Sequence, residues 1–316
     1  MYKILIIIPY YGRLKNYFNT FIESVRCNAS VDWLLMTDDK TQYHFPSNMK
    51  VIYNDFDTLK NIVQSKFDFD ICLDTPYKLC DYKPAYGYIF SDYLREYDFW
   101  GFCDIDMVFG NIRKFVTDDV LKKHTRVFQH GHFSLFRNTE EWNTLFMKAN
   151  GLIGRKRFAD YREVFSSAKI FFFDEYNPNR KDGTAEMWKE LYPDKIYLGT
   201  PMDNIRWPAS NYYSFRSTNN AKEHFIIFEH KESTLFRVYI NKNTIVREET
   251  LYAHFHLWKI KECLLHDSNF IIVPSKILPY TNITDDFIKK HTRKHYLKLF
   301  FVKTLAKIRK ITDGRK

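Results

Sequence analysis

Two aspartates, Asp104 and Asp106, stand in the otherwise apolar and aromatic stretch WGFCDIDMVFG (residues 100–110). Burying a carboxylate without a compensating partner costs several kcal/mol. In α/β sheets ligands bind at the carboxyl ends of the strands, where Asp-X-Asp can hold a divalent cation and, through it, a diphosphate. Such a cation stabilises the charge that develops on a diphosphate leaving group. The pair therefore predicts a metal site; the alternative is a turn in which one Asp caps the following segment.

Histidines are the next candidates for metal ligands. In YAHFH, an extended chain places Tyr252, His254 and His256 on one face and the apolar residues on the other. This pattern predicts one or two imidazole ligands, the alternative being a pair of structural histidines. For the similar pair His130 and His132 in QHGHF, the structural role is the better interpretation.

A phosphate-binding element is predicted at Lys83-Pro84, where a lysine precedes a proline suited to the first turn of a helix. Exposed N–H groups, the helix dipole and an ammonium together form an anion site. The alternative is an ordinary solvated lysine. The sequence contains no GxxxxGK[ST] and no GxGxxG motif, which argues against P-loop and simple dinucleotide-binding proteins.

The elements that position these residues alternate between strand and helix. KILIII (3–8), DWLLMT (32–37) and MKVIY (49–53) read as buried strands, and helical spacing follows the first and the third. This alternation predicts an α/β fold with a mostly parallel central sheet and helices on both faces. A further strand, 99–103, ends at Asp104.

In the later part of the sequence the apolar residues are spaced less regularly. A helix is expected from Pro84 to Glu96, one long strand over 126–138, and a helix from a capping box at Asn138 to Ala149. Beyond Arg206 the pattern indicates antiparallel strands.

Composition excludes several classes of protein. The 316 residues are 45% hydrophobic, which is typical of a globular chain rather than a disordered one. Five scattered cysteines without a CxxC pair argue against a zinc knuckle or a disulfide framework and fit a reducing cytosol. No apolar stretch reaches the roughly 20 residues needed to span a bilayer. We therefore expect a cytoplasmic protein.

The net charge of +10 lies in the tail, because residues 289–316 contain eleven Lys or Arg and one acidic residue, Asp313. Apolar residues recur at helical spacing there, so residues 287–316 are predicted to form a basic amphipathic helix that binds an anionic membrane surface through residues 289–311. The alternatives are a helix packed on the rest of the protein, a solvated basic end and a nucleic-acid-binding arm. No other motif in the sequence supports nucleic-acid binding.

Six blocks of sequence, in order along the chain, resemble a family. They are IIIPYYG (6–12), KLCDYKPAYGYIF (78–90), YDFWGFCDIDMVFGNIRKF (97–115), GHFSLFRNTEEWN (131–143), FFDEY (172–176) and YAHFHLWK (252–259). The chain resembles bacterial GT-A glycosyltransferases, and more narrowly an uncharacterised-domain family of capsular and lipopolysaccharide gene clusters. The resemblance implies a Rossmann-like GT-A domain over residues 1–286.

The resemblance also implies roles for individual residues. Asp104 and Asp106 would hold Mn²⁺ or Mg²⁺ on the diphosphate of a nucleotide-sugar, most simply a UDP-sugar. His254 matches the metal-binding histidine of GT-A enzymes, but His256 follows where relatives often have another residue, so either imidazole is open as the ligand. The remaining donor-binding positions implied are Pro9, Tyr10, Tyr11, Asp38, Asp39, Lys83, Tyr86 and Ile105.

On the acceptor side the resemblance points to Asp174 and Glu175 in FFFDEYN. In an inverting enzyme one carboxylate acts as the base for the acceptor hydroxyl, and a carboxylate at the end of an apolar segment can have a raised pKa. In a retaining enzyme it would orient the acceptor or the donor. The alternative is a helix cap or a surface pair.

The sequence thus favours a metal-dependent hexosyltransferase that acts at the inner face of the cell membrane on a lipid-linked or growing surface polysaccharide. One alternative is a metal-dependent phosphohydrolase or nucleotidyltransferase that uses the same carboxylates and histidines. Another, from a different class, is a nucleic-acid-binding protein that uses the basic tail. We expect no nucleic-acid partner.

Overall fold

A computed structural model describes residues 1–148, 152–153, 156–157, 159–174, 183–199, 203–204, 226–255, 260–263 and 267–293. Its strands, in chain order, are β1 Ile4–Pro9, β2 Asp32–Thr37, β3 Met49–Tyr53, β4 Phe99–Cys103, β5 Met107–Phe109, β6 Arg126–His130, β7 Phe133–Arg137, β8 Leu152–Ile153, β9 Lys156–Arg157, β10 Ile196–Tyr197, β11 Asp203–Asn204, β12 Ile227–Lys231, β13 Thr234–Asn241, β14 Thr244–Glu249, β15 Tyr252–His254, β16 Glu262–Cys263, β17 Phe270–Val273 and β18 Lys276–Pro279.

The α-helices are α1 Phe18–Arg26, α2 Phe56–Gln64, α3 Leu79–Tyr82, α4 Tyr86–Ile89, α5 Ile112–Phe115, α6 Asp118–Lys123, α7 Glu140–Thr144, α8 Tyr161–Ser166 and α9 Thr184–Leu191. Short 3-10 helices cover Pro76–Lys78, Lys83–Ala85, Ser91–Tyr93, Leu145–Lys148 and Pro193–Lys195. Residues 285–293 are also helical.

The chain divides into two compact units. The first contains Met1–Leu14, Ala29–Ile105 and Arg113–Gly199, and the second contains Lys15–Asn28, Asp106–Ile112 and Thr200–Lys316. The chain passes from the first unit to the second between Ile105 and Asp106.

The first unit is built on a seven-stranded sheet in the order β10-β6-β7-β4-β1-β2-β3. Four of its six strand pairs are parallel, and only the two pairs made by β7 are antiparallel. The apolar run of β1 lies in the middle, paired with β2 on one side and β4 on the other. Helices lie around this sheet, so the predicted α/β class with a mostly parallel central sheet is confirmed.

Three predictions about local structure are wrong. The N-cap of α7 is Thr139, whose hydroxyl accepts the N–H of Trp142, and not Asn138. Residues 126–138 form a hairpin instead of one long strand, because the chain turns at Gly131 and His132 and β7 returns antiparallel to β6. The expected helix from Pro84 is broken into the 3-10 turn Lys83–Ala85, the single turn α4 and the turn Ser91–Tyr93. Proline lacks the N–H that would continue the preceding turn.

The second unit contains a six-stranded sheet in the order β14-β13-β12-β17-β18-β16 and a three-stranded sheet in the order β11-β15-β5. Four neighbouring pairs of the larger sheet are antiparallel, which confirms the prediction for this part of the chain. In the smaller sheet β15 pairs antiparallel with β5, and His254 lies opposite Met107. This pairing brings the end of the aspartate stretch beside the histidine strand.

The start of the predicted tail belongs to the core of the second unit, since Ile288 is fully buried there with Ile283. Residues 294–316, with most of the predicted basic amphipathic helix, lie outside the described residues. The domain boundary at 286/287 and the membrane role of residues 289–311 stay predictions. Within the described residues, no helix is both long enough and apolar enough to cross a membrane.

Candidate metal and donor site

Asp104 directly follows β4, in the middle of the first unit. Its backbone N–H donates to the carbonyl of His132 at 2.9 Å, so the tip of the β6–β7 hairpin fixes the position of the aspartate. Its side chain is 36% exposed and accepts a hydrogen bond from the Nζ of Lys83 at 2.8 Å. The predicted carboxylate therefore lies at a strand end, with an ammonium beside it.

Lys83 connects several groups of this site. Its Nζ donates to Asp104 and to the carbonyl of Gly131 at 2.6 Å, and it lies 3.5 Å from Asp174. Burial lowers the pKa of Lys83, but the attraction of Asp104 and Asp174 outweighs it and raises the pKa well above its ordinary value. The lysine predicted for phosphate binding is thus a cation at the strand end whose side chain is 14% exposed. The argument from a helix N-terminus is wrong, because only a three-residue 3-10 turn begins there.

Asp174 is 1% exposed and lies in a turn at the end of the described segment 159–174. Besides Lys83, the buried guanidinium of Arg126 attracts it, while burial lowers the pKa of Arg126 to about 9. Arg126 is stacked with its Cζ 4.3 Å from the ring of Trp188. Two cations therefore compensate the charge of this buried carboxylate. Glu175, the other predicted acceptor-side residue, lies outside the described residues.

In the second unit Asp106 and His254 form the predicted carboxylate–imidazole pair. The Nε2 of His254 lies 3.2 Å from the Oδ1 of Asp106, and the two side chains are 3% and 23% exposed. The strand pairing of β15 with β5 and a hydrogen bond from the N–H of Phe255 to the carbonyl of Asp106 fix this arrangement. His256 lies outside the described residues, so the structure describes only His254 of the two candidates.

These side chains fit a divalent cation. Carboxylate oxygens and an imidazole nitrogen are ligands that Mn²⁺ accepts, and carboxylates suit Mg²⁺. Asp106 and His254 already present one ligand atom each at contact distance. Asp104 precedes Asp106 by two residues along the chain, so the same short stretch offers a second carboxylate. Ile105 between them, which the resemblance implies as a donor-binding position, is buried, and that role stays a prediction.

The predicted nucleotide-binding loop is held by the two aspartates after β2. Asp38 accepts the N–H of Gly12 at 2.7 Å, and Asp39 accepts the N–H of Leu14 and of Thr41, each at 2.8 Å. A hydrogen bond with the side chain of Thr41 is the main cause that keeps the pKa of Asp39 below its ordinary value. The sequence pattern correctly placed these carboxylates after β2. In the structure they accept backbone N–H groups and so fix the shape of the loop.

The three loop residues before Gly12 differ in exposure. Pro9 and Tyr10 are partly exposed, and the Tyr10 hydroxyl donates to the carbonyl of Arg13 at 3.4 Å. Tyr11 is buried, and its hydroxyl donates to Asn54 at 2.8 Å. Burial raises the pKa of Tyr11. Gly12 has φ +95°, a conformation that residues with a Cβ rarely adopt. A partly open loop with fixed backbone therefore follows β1.

Tyr86 belongs to the hydrophobic core of the first unit. It is 2% exposed within the hydrophobic core, its ring packs edge-on against Phe90 and Phe102, and its hydroxyl donates to the carbonyl of Leu79 at 3.3 Å. Burial raises its pKa. Its role toward a donor stays a prediction.

Sequence reasoning identified His130 and His132 as a structural pair but did not single out their contact with the site or the ion pair of Lys78 and Asp81. The rings of His130 and His132 stack with centroids 5.1 Å apart, at the hairpin tip that holds Asp104 and Lys83. Lys78 and Asp81 form a buried pair at 2.8 Å. The spacing of three residues in KLCD was a possible signal for that pair, since residues at i and i+3 are neighbours on a helix.

The chain belongs to the family of unknown function DUF6625, whose model matches residues 6–281. No curated protein sequence matches it. Among solved structures it is similar to mouse xyloside xylosyltransferase 1 in its apo form, at 10% identity and a TM-score of 0.31, over 65% of this chain and 88% of that chain.

Two bacterial structures are also similar. The glycosyltransferase GlyE of Streptococcus pneumoniae TIGR4 matches at 10% identity and a TM-score of 0.31, over 63% of this chain and 45% of that chain, so this chain spans less than half of that protein. An active-site mutant of LgtC matches at 9% identity and a TM-score of 0.37, over 80% and 86% of the two chains.

Proposed function

We propose that the protein is a metal-dependent glycosyltransferase that takes its sugar from a nucleotide-sugar. The observation that carries the proposal is the contact of His254 Nε2 with Asp106 Oδ1 at 3.2 Å. It joins an aspartate of the Asp-Ile-Asp stretch to the histidine strand, more than a hundred residues away in the sequence. The six blocks of sequence that resemble GT-A enzymes contain both residues.

Asp104, Asp106 and His254 would hold the cation, as Mn²⁺ or Mg²⁺. When bound, the cation supplies positive charge for the diphosphate leaving group. Lys83 would add an ammonium beside Asp104, to which its Nζ is already hydrogen-bonded. A preorganised positive group aimed at developing negative charge is among the largest contributions to catalysis.

Asp174 is proposed to position Lys83 rather than to take a proton from the acceptor. Its carboxylate is buried, 3.5 Å from the lysine and near the buried Arg126. A general base must reach the acceptor hydroxyl, so its burial favours the orienting role. Glu175, next along the chain, stays the candidate for the base if the enzyme inverts the anomeric configuration.

The remaining parts of the proposal concern the donor, the acceptor and the place of action. A UDP-sugar is the donor that we propose, with the loop around Tyr10 and Gly12 holding the nucleotide. The acceptor would be a lipid-linked or growing polysaccharide of the capsule or lipopolysaccharide, reached at the inner face of the membrane through the basic tail. These features are supported by the sequence resemblance and by the charge of residues 289–316.

The test is a titration of the purified protein with UDP-, GDP- and CDP-sugars, with and without Mn²⁺, followed by analysis of the products. We expect metal-dependent binding of one nucleotide class and slow release of the nucleoside diphosphate. Asp106→Asn and His254→Gln should each weaken metal-dependent binding by about 10- to 100-fold or more, since each removes a ligand.

A matched control is Asp74→Asn, which removes an exposed carboxylate of the first unit without touching the site. It should bind the nucleotide-sugar as the wild type does. Release of inorganic phosphate or diphosphate instead of a nucleoside diphosphate would identify a phosphohydrolase or nucleotidyltransferase. Absence of metal-dependent binding with all three donor classes would refute the transferase.

A further inference from the structure

Three consecutive phenylalanines, residues 171–173, precede Asp174, and only the middle one faces solvent. Phe171 and Phe173 are 8% and 1% exposed, whereas Phe172 is 39% exposed. Phe172 also has φ +53°, in the left-handed region that a residue with a Cβ avoids. A large apolar side chain is thus held in water on a strained backbone, a combination that clusters at functional sites.

The cause of this geometry is the buried carboxylate of Asp81. It accepts the N–H of Phe171 at 3.0 Å through Oδ2 and the N–H of Phe173 at 2.9 Å through Oδ1. Both backbone neighbours of Phe172 are therefore tied to one side chain. Phe172 lies between these two fixed N–H groups, with its backbone in the left-handed region and its ring partly exposed.

Lys78 anchors that carboxylate in turn. Its Nζ donates to Asp81 at 2.8 Å and to the carbonyls of Val164 and Lys169 at 2.8 Å and 2.6 Å. The lysine and the aspartate are 2% and 0% exposed. All three hydrogens of the ammonium have a fixed acceptor. We call Lys78 and Asp81 the clamp; it fixes the turn that carries Phe172.

The same turn reaches the candidate site two residues later. Asp174 lies 3.5 Å from Lys83, and Lys83 lies 2.8 Å from Asp104. The clamp therefore fixes the backbone of a turn in which the carboxylate of Asp174 is buried near Lys83 and the ring of Phe172 is 39% exposed.

We propose that Phe172 is a substrate-contacting residue whose ring packs against the apolar C–H face of a sugar ring of the acceptor. This inference rests on the proposed function. A pyranose is polar at its rim and apolar on one face, so a single exposed aromatic ring suits it better than it suits a larger apolar partner. Phe172 lies two residues before Asp174, whose carboxylate lies 3.5 Å from Lys83, so the proposed sugar would lie near this end of the candidate site.

The probes are methyl glycosides of glucose, galactose, mannose and N-acetylglucosamine, with binding followed by saturation-transfer NMR in the presence of Mn²⁺ and UDP. We expect at least one glycoside to bind the wild-type protein. Phe172→Ser should weaken that binding about tenfold, the effect of losing one well-packed aromatic contact, and Phe172→Tyr should restore it. Tyr280→Ser, which removes another aromatic ring that is 39% exposed, is the matched control and should change nothing.

Thermal unfolding distinguishes this role from a structural one. Phe172→Gly and Phe172→Asn tolerate the left-handed conformation, so they should leave Tm unchanged or raise it while glycoside binding falls. A lower Tm in both variants with unchanged glycoside binding would show that the ring serves the fold and would overturn the proposal.

Two other results would also overturn it. The first is that no glycoside binds the wild type, or that one binds Phe172→Ser equally well. The second is that Phe172→Ser instead loses binding to vesicles of anionic phospholipid, which would make the ring a membrane contact. Metal-dependent UDP binding is measured in every sample. Absence of UDP binding by the wild type would count against the proposed function, whereas UDP binding without glycoside binding would count against this inference alone.

Discussion

Lys78 and Lys83 are five residues apart and both pair with carboxylates, but their surroundings differ in one respect. Lys78 and Asp81 are both buried, and their hydrogen bonds beyond the pair are to backbone groups. Lys83 shares its ammonium between the buried Asp174 and Asp104, which is 36% exposed. The first cluster is closed and holds the fold; the second has one side open, where a ligand can reach a carboxylate and a cation.

The largest expected loss of stability comes from removing the carboxylate of the closed Lys78–Asp81 cluster. Asp81→Leu leaves the ammonium of Lys78 buried without its counter-charge and removes the acceptor of two backbone N–H groups, so it should lower the free energy of unfolding by about 3–5 kcal/mol. Urea denaturation measures this loss. The double variant with Lys78→Met should be less destabilised than the sum of the single variants, because neither charge is left alone. Additive losses would argue against a coupled pair.

Removing the shared lysine should have an intermediate effect. Lys83→Met deprives the buried Asp174 of its ammonium, whereas Asp104 can be hydrated, so we expect a loss of about 2–3 kcal/mol in the same urea experiment. Asp104→Asn serves as the control, with a loss below about 1 kcal/mol. If Lys83→Met were as destabilising as Asp81→Leu, the second cluster would be as closed as the first.

A smaller effect is expected where a carboxylate holds only loop backbone. Asp39→Ala removes the acceptor for Leu14 and Thr41 and should cost about 1 kcal/mol at neutral pH. Because the folded pKa of Asp39 lies below its ordinary value of 3.8, the contribution is present above pH 3.8 and is lost as the pH falls through the folded pKa. Unfolding of wild type and variant should therefore converge below that pH. A difference that persists in acid would mean that the hydrogen bonds do not depend on the charge.

The smallest effect belongs to an exposed pair. Lys60 and Asp74 approach to 3.2 Å, and their side chains are 38% and 63% exposed. Asp74→Asn should leave the urea midpoint unchanged within error, since such pairs contribute little. A clear loss of stability would show that exposure is a poor guide to the worth of ion pairs in this chain.

Much of the fold could be predicted from local sequence pattern. The apolar runs of β1, β2 and β3 and the helical spacing between them are enough to indicate a parallel sheet, since each depends on residues close together in the chain. The hairpin at Gly131 was missed because His-Gly-His continued an apolar run without a strong turn signal. The helix from Pro84 was overestimated because a proline is compatible with both a helix start and a chain of short turns.

The candidate site was predictable in part for the same reason. Asp104 and Asp106 could be recognised because they are charged residues within an apolar run. His254 could be recognised because polar and apolar residues alternate along its strand. The role of the clamp could not be predicted, because the groups that donate hydrogen bonds to Asp81 are the backbone N–H groups of Phe171 and Phe173, about ninety residues further along the chain. Backbone partners at such a distance leave no signature in residue type.

The central claim is that Asp106 and His254 bind a divalent cation for a nucleotide diphosphate. Electron paramagnetic resonance of Mn²⁺ titrated into the full-length protein with UDP tests it directly, because free and bound Mn²⁺ give different signals. We predict one bound Mn²⁺ per chain in the wild type and in Asp74→Asn, and at least about a tenfold weaker site in Asp106→Asn and in His254→Gln. Equal Mn²⁺ binding by the wild type and both site variants would contradict it.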